Sequence, residues 1–318
     1  MHGIDHFFFH SNVALSDPGT VVYLPTERVR KAELLWMDRA GKTSPISQRR
    51  SFEAYAFSVS PDGGQAAVQL IEGTSEGVWI IDLERGAKRL LASKGGAPIF
   101  SRDGNFVTYT SSHGEEDVFL RRRADGTGHE ERLFARPFGW STPLDWSPDG
   151  QSLLYAASSS RGDYDVWIHS AGQSSPLLAS SFNESSAAFS PDGRFIAFDV
   201  DEGGESNVYL QPFPGPGPRT AVSIGGGGWP IWGHDGRQLF YGYGRRMMVV
   251  AVDTEPVLRV GRPQLLFEKG PPATGYDVTA DGRVLALLPR ETVDGPVELR
   301  VVLNWFEELE RLAPHPRR

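Results

Sequence analysis

The chain has 318 residues, no cysteine, 36 glycines, 23 prolines, 11% aromatic residues and a formal net charge of −8. These values exclude disulfides and thiolate metal sites, and with no basic stripe they argue against a nucleic-acid partner; Arg121-Arg122-Arg123 reads as a solvated strand end. No apolar run reaches the roughly 18 residues that a membrane-spanning helix needs.

The N-terminal segment Met1–His10 has neither the basic start nor the apolar core of a signal peptide. His2, His6 and His10 are spaced by four, with Asp5 among them, which on a helix would gather three imidazoles on one face. Phe7-Phe8-Phe9 favours a strand there, so no metal site is expected. Ser16-Asp17-Pro18-Gly19-Thr20 reads as a scrambled turn, followed by the strand-like runs Val21–Leu24 and Leu34–Met37, with Trp36 inside the second.

From residue 57 onward one unit recurs: an aromatic or apolar residue, a short polar link, Asp-Gly and a strand-like run. The Asp-Gly pairs are Asp62-Gly63, Asp103-Gly104, Asp149-Gly150, Asp192-Gly193, Asp235-Gly236 and Asp281-Gly282, at steps of 41, 46, 43, 43 and 46 residues. In its full form the link is Ser-Pro-Asp-Gly. Serine suits the first turn position, proline presets φ for the second, aspartate bonds its own backbone in the third, and glycine closes the turn. Short strands at a period of about 40–45 residues predict a β-propeller of four-stranded antiparallel blades.

A large ring recurs in the third strand of each unit: Trp79, Phe119, Trp167 and Tyr209 lie 16 to 18 residues after their turn aspartates, and Trp36 is the counterpart in the degenerate first unit. Stacked blades would bury these rings against their neighbours. The units fall at about 11–50, 51–93, 94–136, 137–180, 181–224, 225–270 and 271–305, within one domain spanning 1–318. Seven blades are favoured on this count. Six is the alternative, if the first and last partial units merge so that residues 16–50 and 276–305 share one sheet. Trp305, Leu309 and Leu312 then fall on one face of a short C-terminal helix, 305–312, ended by Pro314.

Gly73-Thr74-Ser75-Glu76-Gly77 fits the nucleophile-elbow pattern in form only. The elbow needs a strand-to-helix turn, whereas these residues lie between two strand runs. In a propeller the first strand of each blade lines the channel, so binding residues are expected five to nine positions before each Asp-Gly. Those positions hold Glu53, Tyr55, Trp140, Thr142, Asn183, Glu184, Trp229 and Tyr276, aromatic and acidic groups suited to gripping a peptide or a partner's loop. The competing reading makes the rings channel-plugging core.

The Ser-Pro-Asp-Gly units resemble the WD40-like repeats of TolB-type propellers over nearly the whole chain. Leu34–Lys42, Val208–Pro214, Gly225–Trp232 and Val302–Leu309 also resemble the C-terminal propeller of bacterial transmembrane serine/threonine kinases. The resemblance implies a non-enzymatic interaction or sensing module with no catalytic residues to carry over; no cofactor and no metal site are expected from the residues. The kinase machinery itself is absent: there is no Gly-rich phosphate loop, no His-Arg-Asp and no Asp-Phe-Gly. The expectation is a monomer that binds a protein or peptide at the channel mouth, cytoplasmic if complete as given and extracytoplasmic if it is a severed kinase sensor domain. The alternative function is a propeller lyase, lactonase or peptidase-associated domain with a channel-bound metal.

Overall fold

The structure, a computed structural model, describes residues 13–15, 21–23, 32–38, 40–46, 53–72, 75–137, 139–215, 217–268, 275–289 and 300–302. Contacts divide the chain into two units, residues 32–289 and the two terminal segments 1–31 and 290–318. The terminal unit contains one three-stranded sheet in the order Val13–Leu15, Val21–Tyr23 and Arg300–Val302. The expected C-terminal helix at 305–312 and the His2, His6 and His10 run lie outside the described residues.

Residues 32–289 form the propeller. Blade 1 is Glu53–Val59, Gln65–Glu72, Ser75–Asp82 and Lys88–Ala92; blade 2 is Gly96–Phe100, Phe106–His113, Glu116–Arg123 and Glu131–Pro137. Blade 3 is Ser141–Trp146, Ser152–Ser158, Tyr164–Ser170 and Gln173–Leu178; blade 4 is Ala187–Phe189, Phe195–Asp201, Ser206–Pro212 and Thr220–Ala221. Blade 5 is Gly228–Trp232, Gln238–Tyr243 and Arg246–Asp253, with Arg259–Val260 and Gln264–Phe267 both paired to its third strand. Each blade is antiparallel, and the innermost strands neighbour one another in a closed cycle from blade 1 round to blade 6.

Blade 6 joins distant parts of the sequence. Its two inner strands are Tyr276–Val278 and Val284–Pro289, and its two outer strands are Ala32–Met37 and Thr43–Pro45, with Leu285 opposite Trp36. The blade count is therefore six, and the seven that the repeat count favours does not form. The first and last partial units each supply half of one sheet, which removes the free edge that each would otherwise expose. Arg300–Val302, inside the last counted unit 271–305, pairs instead with Val21–Tyr23.

The Ser-Pro-Asp-Gly turn is held by its own side chains. Ser60 Oγ donates to Asp62 Oδ1 at 2.5 Å and accepts from Gln65 N at 2.9 Å, while Asp62 Oδ1 accepts from Gly64 N at 3.0 Å. The pattern repeats at Ser101, Ser147 and Ser190, and Thr279 takes the serine's place in blade 6. Blade 5 has Gly233 there, so only the bond from Arg237 N to Asp235, 2.9 Å, remains. The closing glycine answers a conformational need at Gly104, where φ is +72°, a left-handed backbone that glycine adopts without strain.

Between blades the core is apolar and aromatic. Phe119, fully buried, stacks on Phe134 at 4.3 Å and meets Tyr155 of the next blade edge-on at 5.1 Å. The other third-strand rings are half-buried, and each is covered by a cation: Arg283 over Trp36, Lys88 over Trp79, Arg136 over Trp167 and Arg219 over Tyr209, at 4.1 to 5.5 Å. A cation on an aliphatic stem can shield the outer face of a ring and keep its own charge in water.

Candidate functional site

The residues singled out five to nine positions before Asp-Gly do not form one cluster. Tyr55 is half-exposed on blade 1, and the Glu53 side chain lies outside what the structure describes. Trp140, half-buried, meets Tyr164 edge-on at 4.9 Å within blade 3, and Thr142 follows it on the inner strand. Asn183 accepts from Tyr164 N at 3.0 Å and bridges to Asp201. Glu184 is 2% exposed and accepts from the hydroxyl and backbone NH of Ser180. Burial pushes its carboxyl up, the Ser180 bonds oppose this, and Asp165 and Asp163 add to it.

Trp229 and Tyr276 do come together, in the channel. They share the wall of a cavity of about 360 Å³ lined by the C-terminal ends of the inner strands of blades 1 to 3, by most of the inner strands of blades 4 to 6 and by turn residues that follow. Tyr276 is buried and Trp229 half-buried. Trp229 has φ +51°, a left-handed conformation that costs a non-glycine residue of order 1 kcal/mol. The residues before it explain how it is held. Gly226 and Gly227 press against Tyr243 and Tyr241 so closely that a Cβ would fall within 2.3 and 2.6 Å of those rings. Asp199, 2% exposed, then accepts from Trp229 N at 2.9 Å with one oxygen and from Ser186 N at 3.1 Å with the other.

The same cavity holds residues that the choice of positions overlooked. The fourth residue before each turn aspartate forms a ring on its wall: Ser58, Ile99, Asp145, Ala188, Ile231 and Asp277. Strand alternation turns these side chains to the channel, while their successors, such as Phe100, Phe189 and Trp232, are buried between blades. Each polar member of the ring reaches the backbone NH of the next blade. Ser58 Oγ accepts from Phe100 N at 3.3 Å, Asp145 from Phe189 N at 2.9 Å, and Asp277 from Val59 N at 2.7 Å.

The charges are unevenly matched. Arg102 donates to Asp145, to the Trp146 carbonyl at 2.9 Å and to the Phe189 carbonyl at 3.2 Å, clasping blades 2, 3 and 4. Burial still raises the Asp145 carboxyl, with Arg102 opposing it. Asp277 accepts from Val59 N and, at 2.8 Å, from Val278 N. Burial pushes its carboxyl up to about 6, and the Asp145 charge adds to the rise.

Among the described residues no three or more His, Asp or Glu side chains lie close enough to hold a metal ion. Ser75 opens a strand paired with Gln65–Glu72, Glu72 opposite Ser75, so no helix follows the glycine-serine segment. The described residues contain no helix long and apolar enough to cross a membrane.

No family model matches the chain. Among solved structures, it is similar to a chain from Agrobacterium tumefaciens assigned as TolB, with TM-score 0.64 and 15% identity over 82% of this chain and 99% of that one. TolB of Acinetobacter baumannii gives TM-score 0.56 and 18% identity over 78% of this chain and 66% of that one. A puromycin-hydrolysing peptidase of Mycobacterium tuberculosis gives 0.53 and 16%, covering 81% of this chain but 44% of the peptidase. At such identities the likeness concerns architecture alone: six antiparallel blades closed into a TolB-like β-propeller.

Proposed function

We propose that this propeller is a non-enzymatic binding module that takes an extended peptide, or a loop of a protein partner, at the Trp229–Tyr276 end of its channel. The observation that carries the reading is the cavity of about 360 Å³, which combines aromatic walls with few, fixed polar groups. Such a combination suits recognition: rigid rings supply contact area at small entropic cost, and oriented carboxylates and carbonyls supply selectivity. The TolB-like fold supports it by analogy. The enzymatic alternative needs a metal-ligating group that the described residues do not gather. A sensing role beside a membrane kinase is the extension of this reading that the sequence resemblance favours.

The test is selection of peptides from a displayed library on the full chain, followed by affinity measurement of the winners. Trp229→Ala is expected to weaken them by about tenfold or more with an unchanged circular-dichroism spectrum. Winners that bind the Trp229→Ala chain equally well would place recognition elsewhere and overturn the assignment to the channel.

A further inference from the structure

The channel wall repeats with two-fold order. Read from blade 1 to blade 6, the ring is small, isoleucine, aspartate, then small, isoleucine, aspartate: Ser58, Ile99, Asp145, then Ala188, Ile231, Asp277. The residue directly before the turn aspartate follows suit in four of the six blades, while blades 3 and 6 differ there, with Pro148 and Ala280. Proline stands at 61 and 191 in blades 1 and 4, and a basic residue replaces it in blades 2 and 5, as Arg102 and His234. All four line the cavity. Blades three apart face each other across a six-bladed ring, so the half-ring of blades 1–3 and that of blades 4–6 offer the same arrangement to the axis.

The halves differ in how they are completed. In the first, the Arg102 guanidinium meets three acceptors: the Asp145 carboxylate, the Trp146 carbonyl and the Phe189 carbonyl of the blade beyond. The corresponding acceptors in the second half are the Asp277 carboxylate, the Val278 carbonyl and the Val59 carbonyl. Asp277 also stands to Val59 as Asp145 stands to Phe189, accepting the backbone NH at 2.7 against 2.9 Å. His234 holds the place of Arg102, yet it is exposed, and among the described residues no hydrogen bond or ion pair joins it to Asp277.

We propose that the second half-ring takes from its partner the cation that the first half-ring takes from its own chain: an arginine side chain of the bound peptide pairs with Asp277 between blades 5, 6 and 1. This rests on the peptide-binding reading above and names the residue that the site selects. A guanidinium presents a planar fork of donors, which matches a carboxylate flanked by carbonyls, and its stem packs on aromatic and aliphatic walls such as Trp229, Tyr276 and Ile231. The raised Asp277 carboxyl agrees with this, because burial and the Asp145 charge outweigh the two backbone NH bonds and the Arg102 charge that oppose them.

The experiment uses the full chain and two fluorescein-labelled heptapeptide pools. Both are randomised outside the centre; the centre is arginine in one and citrulline, its uncharged isostere, in the other. The arginine pool is expected to bind about tenfold tighter or better, and Asp277→Asn, whose amide oxygen can keep one of the two backbone NH bonds from Val59 and Val278, is expected to erase that gap. Equal binding of the two pools by the unaltered chain would overturn the arginine assignment and leave the peptide reading standing, whereas binding of neither pool would remove both. A second arm is His234→Arg, which supplies the guanidinium from the chain itself. It is expected to raise Tm by a few degrees and to abolish the preference for arginine, and the gain in Tm should vanish when Asp277→Asn is added. A His234→Arg chain that keeps its full preference for the arginine pool would also overturn the proposal.

Discussion

Tyr276 donates its hydroxyl to the backbone carbonyl of Trp229 at 2.6 Å, tying blade 6 to the left-handed residue of blade 5. Tyr276→Phe keeps the ring and leaves that carbonyl without this donor. The expected cost is about 1–2 kcal/mol in urea denaturation, against less than about 0.5 kcal/mol for Tyr243→Phe, which is 41% exposed. Equal losses in the two variants would show that the Tyr276 bond adds nothing to stability.

Closure of the ring depends on apolar packing across the junction of the two sequence ends of the propeller. Leu285 is fully buried in a cluster with Leu34, Val68 and Leu287, and with Trp36 and Trp79 at its edge. Leu285→Ala is expected to cost about 2–4 kcal/mol through lost burial and the cavity left behind. Leu90→Ala, at a half-exposed site, should cost less than about 0.5 kcal/mol. Urea midpoints of the two variants measure the contrast.

The pH profile follows from carboxylates shifted in opposite directions. Asp277 has a folded pKa of about 6 against an ordinary value of 3.8, so the folded chain holds its proton more tightly. The stability this gives is complete below the unfolded value and is lost as pH rises through about 6. Asp145, Asp199 and Glu184, raised by burial, act in the same sense. The turn aspartates Asp62, Asp103, Asp149 and Asp281 act oppositely, because hydroxyl bonds from Ser60, Ser101, Ser147 and Thr279 hold them below the ordinary value. Their contribution is present above that value and lost as pH falls through the folded one. Tm is therefore expected to pass through a maximum between roughly pH 4 and 6, and Asp277→Asn should flatten the decline on the alkaline side. A thermal series in which Asp277→Asn declines as steeply as the unaltered chain would contradict this.

The turn chemistry gives a local test. Removing the Ser147 hydroxyl by Ser147→Ala takes away the strongest influence on Asp149 and one acceptor for Ser152 N. The Asp149 carboxyl is expected to rise toward its ordinary value in an NMR titration, with a stability loss of about 1 kcal/mol. An unmoved Asp149 titration would mean that the backbone NH of Gln151, 3.0 Å away, suffices alone.

What the sequence discloses about this fold is what is written locally. Ser-Pro-Asp-Gly is a four-residue device whose bonds close within six residues, so the turns and the period between them are legible from Ser60 or Ser190 alone. The recurring third-strand rings are legible for the same reason of register. Closure is different, because Leu285 meets Trp36 across nearly the whole length of the propeller and no local signal announces the pair. A terminal half-blade looks like a degenerate whole one, which is why seven units are counted where six form.

The channel residues illustrate a second limit. Trp229 and Tyr276 are conspicuous as large rings, and both reach the cavity. Asp145 and Asp277 sit inside stretches that otherwise read as turn approaches, and a lone aspartate four residues before the turn aspartate passes for part of the turn. Their signal lies in comparing the units with one another at a fixed offset from the turn, where Ser58, Ile99, Asp145, Ala188, Ile231 and Asp277 fall into order. The cations over Trp36, Trp79, Trp167 and Tyr209 come from different offsets in each blade, so register alone could not pair them.

The composite sixth blade also imposes an order on biosynthesis. Residues 32–45 leave the ribosome well before 276–289, and until those later strands are made Ala32–Met37 has only its hairpin partner Thr43–Pro45 and leaves its other edge unpaired. Blades 1 to 5 can fold as they emerge, but as an open arc whose two end faces stay wet. During that interval the nascent chain carries one unpaired strand edge, at Ala32–Met37, and closing the circle waits for the pairing of its earliest and latest strands.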